Sequence, residues 1–123
     1  VSSQPAGSQT IHPSGDAAAF ITELTYDDLP DEVVDLVERC FVDTVGVMIA
    51  GASATGGTRV TEMITAEYSA GTATLVGHEE RVPSSEAVLV NGTATHADDY
   101  DDVSDGMDGH PSATMIAPIV ALG

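Results

Sequence analysis

The sequence predicts an all-α domain, a helical bundle with a short β-hairpin insertion, on the strength of three observations. Val33, Val37, Cys40, Phe41, Val45, Met48 and Ile49 recur at spacings of three and four, the mark of one buried helical stripe. Pro111 opens a second apolar run through Met115, Ile116, Ile119, Val120 and Leu122, and proline is favoured at the first position of a helix. Only residues 72–76 have the β-branched character of a strand; a turn over 77–80 and a return at Arg81 and Val82 complete the hairpin.

Taken in order, residues 1–15 are rich in Ser, Gly, Gln and Pro without periodicity and read as a flexible leader, with the domain covering 16–123. Asp16 caps a short helix through Ala17, Phe20, Ile21 and Leu24, and the segment from Tyr26 to Pro30 makes a turn into the next. That long helix is expected to end near Ala50, with Gly51 as a left-handed cap. Gly56 and Gly57 read as a break, followed by a short helix carrying Val60, Met63, Ile64 and Tyr68. After the hairpin, Ser84 or Ser85 caps a helix with Glu86 in its first turn, running past Asn91 and Gly92 to His96. The final helix stops at Gly123 with no polar tail, which suggests a truncated piece of something larger.

Composition excludes several functions. Twenty Asp and Glu against three Arg and no Lys give a net charge of −17, so a basic patch for nucleic acid or an anionic membrane cannot be assembled. No stretch reaches the about 18 to 20 apolar residues of a membrane span, and the first ten residues lack the pattern of a signal peptide. Cys40 has no partner for an internal disulfide and reads as a small buried hydrophobe, which fits a reducing, cytoplasmic setting. The acid excess on a foldable chain, with a mean hydropathy of +0.09, suggests adaptation to high salt. Gly51 to Gly57 lacks the lysine of a phosphate-binding loop.

Chemistry concentrates between Asn91 and Ser112, where six of the twenty acids lie between positions 98 and 108, flanked by His96 and His110. With Pro111 as first helical residue, His110 falls at the cap and Ser112, Ala113 and Thr114 offer free backbone N–H groups, an end that attracts a carboxylate. A histidine beside that anion site and an aspartate facing it are two groups able to exchange protons with a bound organic acid. The plainer reading of an acidic run is a solvated face, and Asp98, Asp102, Asp105 and Asp108 fit it best. His12 and His78 read as surface or capping residues. A calcium loop starting at Asp101 would put Val103 at its third position and Ser112 at its twelfth, where Glu is wanted, so no metal is expected.

The segments Tyr26-Asp-Asp-Leu-Pro-Asp-Glu-Val-Val, Phe41-Val-Asp-Thr-Val-Gly-Val-Met-Ile-Ala-Gly-Ala, Asn91-Gly-Thr-Ala-Thr-His-Ala-Asp-Asp-Tyr-Asp-Asp and His110-Pro-Ser-Ala jointly resemble the MmgE/PrpD family. That family includes 2-methylcitrate dehydratase, cis-aconitate decarboxylase and iminodisuccinate epimerase. The resemblance implies part of a helical domain acting on small di- or tricarboxylic acids without a cofactor, in a homodimeric enzyme several times longer than this chain. It implies Asp99 and His110 as active-site residues, Asp99 for proton transfer and His110 acting with it or holding a substrate carboxylate. Val103 stands where many members carry Thr, leaving Ser104 to supply a hydroxyl; Ser112 and His96 complete the expected substrate contacts. The implied reaction is dehydration of a 2-methylcitrate-like acid, with decarboxylation or epimerisation as alternatives. From another class, the polypeptide is a non-catalytic remnant or a subunit that needs a second chain or the remainder of the enzyme.

Overall fold

The computed structural model describes residues 12–123, so the first eleven positions of the expected leader lie outside the described residues. The chain divides into two units, residues 1–34 and 35–123. In the first, helix α1 runs Pro13–Glu23, so that Asp16, expected as its cap, lies within its first turns, with Pro13 at its first position and no side-chain cap. Proline at the first turn needs no N–H partner, so it starts the helix without help from Asp16. Thr25 then donates its N–H and hydroxyl to Asp28 Oδ2, at 2.9 and 2.7 Å, closing a 3-10 turn over Tyr26–Asp28. The same two donors, the hydroxyl first, hold the Asp28 carboxyl below the usual carboxylate range.

Helix α2 spans Asp31–Ala52. Its apolar stripe is only partly buried. Within the second unit Thr44, Met48, Gly51 and Ala52 are inside, Cys40 and Val45 are half-buried, and Val37, Phe41 and Ile49 stay exposed. Periodicity marks a face that avoids water without saying how much of it a neighbour covers; here the covered part is the last two turns. Gly51 does not adopt the left-handed cap expected of it. It sits inside the helix, against backbone from further along the chain: a Cβ here would collide with the Ala94 carbonyl oxygen. Gly57 repeats the device one helix later, against the Gly51 carbonyl. Gly56 and Gly57 therefore lie in the first turn of α3 (Thr55–Glu67) instead of breaking the chain before it.

The hairpin is present as two short antiparallel strands, β1 (Ala73–Thr74) and β2 (Arg81–Val82), with Ala73 opposite Val82. Gly77 makes the turn with φ 84°, a conformation that suits glycine. Helix α4 (Ser84–His96) follows with Pro83 at the cap position, in place of either serine, and helix α5 (Pro111–Leu122) closes the unit. Helix α4 is central, packed on both α3 and α5. Two aliphatic clusters result. Ile64, Leu75, Val82, Ala87 and Val90 form one beneath the hairpin, and Met48, Ala52, Ala94 and Ala117 form the other where α2, α4 and α5 meet.

Asn91 explains why an Asn-Gly pair does not end α4. It is fully buried; its Oδ1 accepts from the Val76 N–H and its Nδ2 donates to the Thr74 carbonyl, both at 3.0 Å. A side chain that would favour a turn in water is satisfied instead by the edge of the hairpin, which it fastens to the helix. Among the described residues no helix is long and apolar enough to cross a membrane.

Candidate functional site

Helix α4 delivers His96 at its last residue, and α5 begins one residue after His110. The connection between them is held at two places. Ser104 and Gly109 form an antiparallel bridge, with the Ser104 N–H on the Gly109 carbonyl at 2.9 Å. Asp102 caps α5, accepting the Ser112 N–H at 3.1 Å and the Ser112 hydroxyl at 2.7 Å. The first helical N–H groups have no partner within the helix, and a carboxylate there also meets the positive end of the dipole. The helix end expected to attract a substrate carboxylate thus holds one from the chain itself. Asp102 is accordingly half-buried and committed to structure, in contrast to the solvated position expected for it; Asp98, Asp105 and Asp108 are exposed.

Between these fixed ends four groups converge. Asp99 turns the chain after α4 with φ 52°, a left-handed conformation that Asp tolerates better than most residues. Its Oδ1 lies 3.7 Å from His110 Nε2 and 3.9 Å from His96 Nδ1. The Asp101 side chain is wholly buried, its Oδ1 2.9 Å from His96 Nδ1 and 3.5 Å from His110 Nδ1. The two rings stand edge to face with centroids 4.6 Å apart. The hydrogen bond to Asp101 raises the His96 pKa above its ordinary value, reinforced by the charge of Asp101 and, less strongly, of Asp99.

His96, Asp99 and His110 are therefore brought together, while Ser104 and Ser112 are not part of the group. The Ser112 donors belong to Asp102, and the Ser104 backbone closes the loop bridge. Asp101 went unnoticed in the sequence because nothing distinguishes it from its five acidic neighbours; which acid of a run points inward is decided by the turn at Asp99. His78, expected at the surface, is half-buried, with Nε2 3.4 Å from the Thr61 hydroxyl.

The two histidines also head a groove of about 800 Å³ between α4 and α5, lined by Val88, Leu89 and Thr93 on one side and Ala113, Ala117 and Pro118 on the other. An apolar groove ending on proton-carrying groups suits a carbon skeleton with a reactive polar end. His96, Asp99, Asp101 and His110 offer donor atoms all within 4.8 Å of one another, a mixed nitrogen and oxygen set that a divalent cation accepts. Carboxylates and imidazoles are also the groups most often used in general acid–base chemistry.

The profile of the MmgE/PrpD N-terminal domain matches residues 15–123. The chain belongs to the MmgE/PrpD family. A comparison with curated proteins gives no match. Within an MmgE/PrpD N-terminal domain the matched segment includes the whole of the second unit, so the loop from Asp99 to His110 and both helices that carry it are part of the family's own domain.

Proposed function

We propose that this MmgE/PrpD domain serves a lyase that eliminates water from a small tricarboxylic acid of the 2-methylcitrate type. The observation that carries the reading is the approach of Asp99 Oδ1 to His110 Nε2, 3.7 Å apart, with His110 itself lining the apolar groove. A carboxylate and an imidazole at that separation can reach neighbouring atoms of one substrate from the same side, and such contacts tighten when substrate binds. Asp99 takes the proton α to a carboxylate, the C–H pair becomes the new C=C bond, and the same proton passes by way of His110 Nε2 to the hydroxyl as its C–O bond breaks, so that water leaves. The charge that develops on the substrate carboxylate calls for donors beyond these two residues, and the reaction balances without a redox partner or cofactor. Decarboxylation of a cis-aconitate-like acid and epimerisation of an iminodisuccinate-like one need the same proton handling and remain the alternative chemistries.

A second reading is favoured by charge. None of the three arginines, Arg39, Arg59 and Arg81, lines the groove, and the Asp99 side chain is 78% exposed. A trianionic substrate needs cations that this chain does not place there, so the active form includes a second chain or further sequence. We place that enzyme in the cytoplasm of a salt-adapted cell, as a homodimer, with residues 16–123 forming the helical domain.

Turnover of 2-methylcitrate, cis-aconitate and citrate, measured for the chain alone and with added partner protein, separates these readings. In the complete enzyme Asp99→Asn and His110→Ala each lower turnover at least about a hundredfold with folding retained. Near-normal turnover in both variants removes the assignment.

A further inference from the structure

We infer that Asp101 is a positioning residue that sets the tautomer of both histidines, placing their protons on Nδ1 and leaving the His110 Nε2 lone pair directed at Asp99. The inference rests on the reaction proposed above for its consequence, though not for its geometry. Asp101 is the one acid of the 98–108 run whose carboxylate is wholly buried, and both imidazoles turn the same atom, Nδ1, toward its Oδ1. A buried carboxylate is tolerated only when donors compensate it. His96 supplies one, its Nδ1 lying 2.9 Å from Oδ1 and 3.2 Å from Oδ2.

His110 supplies the other. Its Nδ1 is buried and without a hydrogen-bond partner, and Asp101 Oδ1 faces it at 3.5 Å. With the proton on Nδ1 that contact is attractive. With the proton on Nε2, a bare nitrogen lone pair would face an anionic oxygen in a place water does not reach, at a net cost. The matching clash of a bare Nε2 with Asp99 Oδ1, 3.7 Å away, is eased by water because the Asp99 side chain is 78% exposed, so the buried contact decides and the proton sits on Nδ1. A carboxylate that holds an imidazole in one tautomer improves catalysis without touching substrate. Here one carboxylate does so for two rings, which also explains why the rings meet edge to face instead of stacking.

Long-range proton–nitrogen NMR correlation on the uniformly nitrogen-labelled chain, at alkaline pH, reads the tautomers directly. The expected spectrum shows a protonated Nδ1 and a bare Nε2 for His96 and His110. A protonated His110 Nε2 in the unmodified chain overturns the inference, and this result needs no variant to fold. Asp101→Asn offers one acceptor and one donor in place of two acceptors, so at least one ring is expected to switch its proton to Nε2 while the amide spectrum stays dispersed. Unchanged tautomers in that variant also overturn it. In the complete enzyme Asp101→Asn is expected to lower kcat at least about a hundredfold with KM within about threefold; a change in KM alone goes against a positioning role. Absence of turnover with every acid, alongside the expected tautomers, sinks the proposed reaction and leaves the positioning geometry standing.

Discussion

Replacing Asp102 with alanine removes both hydrogen bonds that anchor the start of α5, to the Ser112 N–H at 3.1 Å and to its hydroxyl at 2.7 Å. Bonds to a charged acceptor contribute about 1.5–3 kcal/mol each where they are shielded. Ser112 is buried at 8% exposure, while Asp102 is half-buried, so water recovers part of the loss. A net cost of about 2–4 kcal/mol follows, which for a domain of this size lowers Tm by about 8–16 °C. Asp102→Asn keeps an acceptor for the N–H and loses mainly the charge at the helix end, so about 1 kcal/mol is expected. Urea unfolding followed by far-UV circular dichroism at fixed salt measures both. The order alanine, asparagine, wild type in rising stability is the signature of a charged cap. If Asp102→Ala costs less than about 0.5 kcal/mol, the carboxylate does not hold the helix end, and the reasoning that makes Ser112 unavailable to substrate fails with it.

Asn91→Leu leaves the Thr74 carbonyl and the Val76 N–H without their buried partner, which at about 1–3 kcal/mol for each group destabilises the chain by about 2–5 kcal/mol, measured by the same denaturation. For His96 the sign runs from a folded-state pKa raised above 6.5. The stability it contributes is complete below the unfolded value near 6.5 and disappears as pH rises through the raised folded value. Proton NMR titration should therefore place its midpoint above 6.5, with the urea midpoint falling over the same interval; a midpoint at or below 6.5 refutes the ion pair with Asp101.

The helices were legible wherever apolar spacing and terminal residues acted together. Pro111 marks the start of α5 because its ring costs nothing at a helix's first position, and the pattern from Pro30 onward identifies α2. The hairpin was legible from a single β-branched patch. What escaped were features set by partners distant in sequence. Gly51 reads locally as a terminator, yet its small size serves the approach of Ala94, forty-three positions on. Asn91 reads as a turn residue until the hairpin edge supplies both of its partners. The site followed the same rule. Asp99 and His110 were identified by resemblance, since spacing alone does not bring residues across a loop together; Asp101 and Asp102 have identical local character and opposite orientations.

Those two neighbours show how a strongly acidic loop accommodates its own charge. Asp101 faces the imidazoles, and Asp102 faces the N-terminus of α5, so each carboxylate meets donors that offset its charge. Asp98, Asp105 and Asp108 face solvent, where added salt shortens the range of their field from about 10 Å at 0.1 M to about 3 Å at 1 M. Asp99 is left with its side chain exposed and its Oδ1 3.7 Å from His110 Nε2, while its neighbours' carboxylates are occupied elsewhere. Neutralising either neighbour therefore changes more than local stability: without Asp102 the helix start that carries His110 is released, and without Asp101 the imidazole loses the partner that orients its proton. Two inward acids, Asp101 and Asp102, flanked on both sides by outward ones, thus tie the loop to the helix start and to the imidazoles at once.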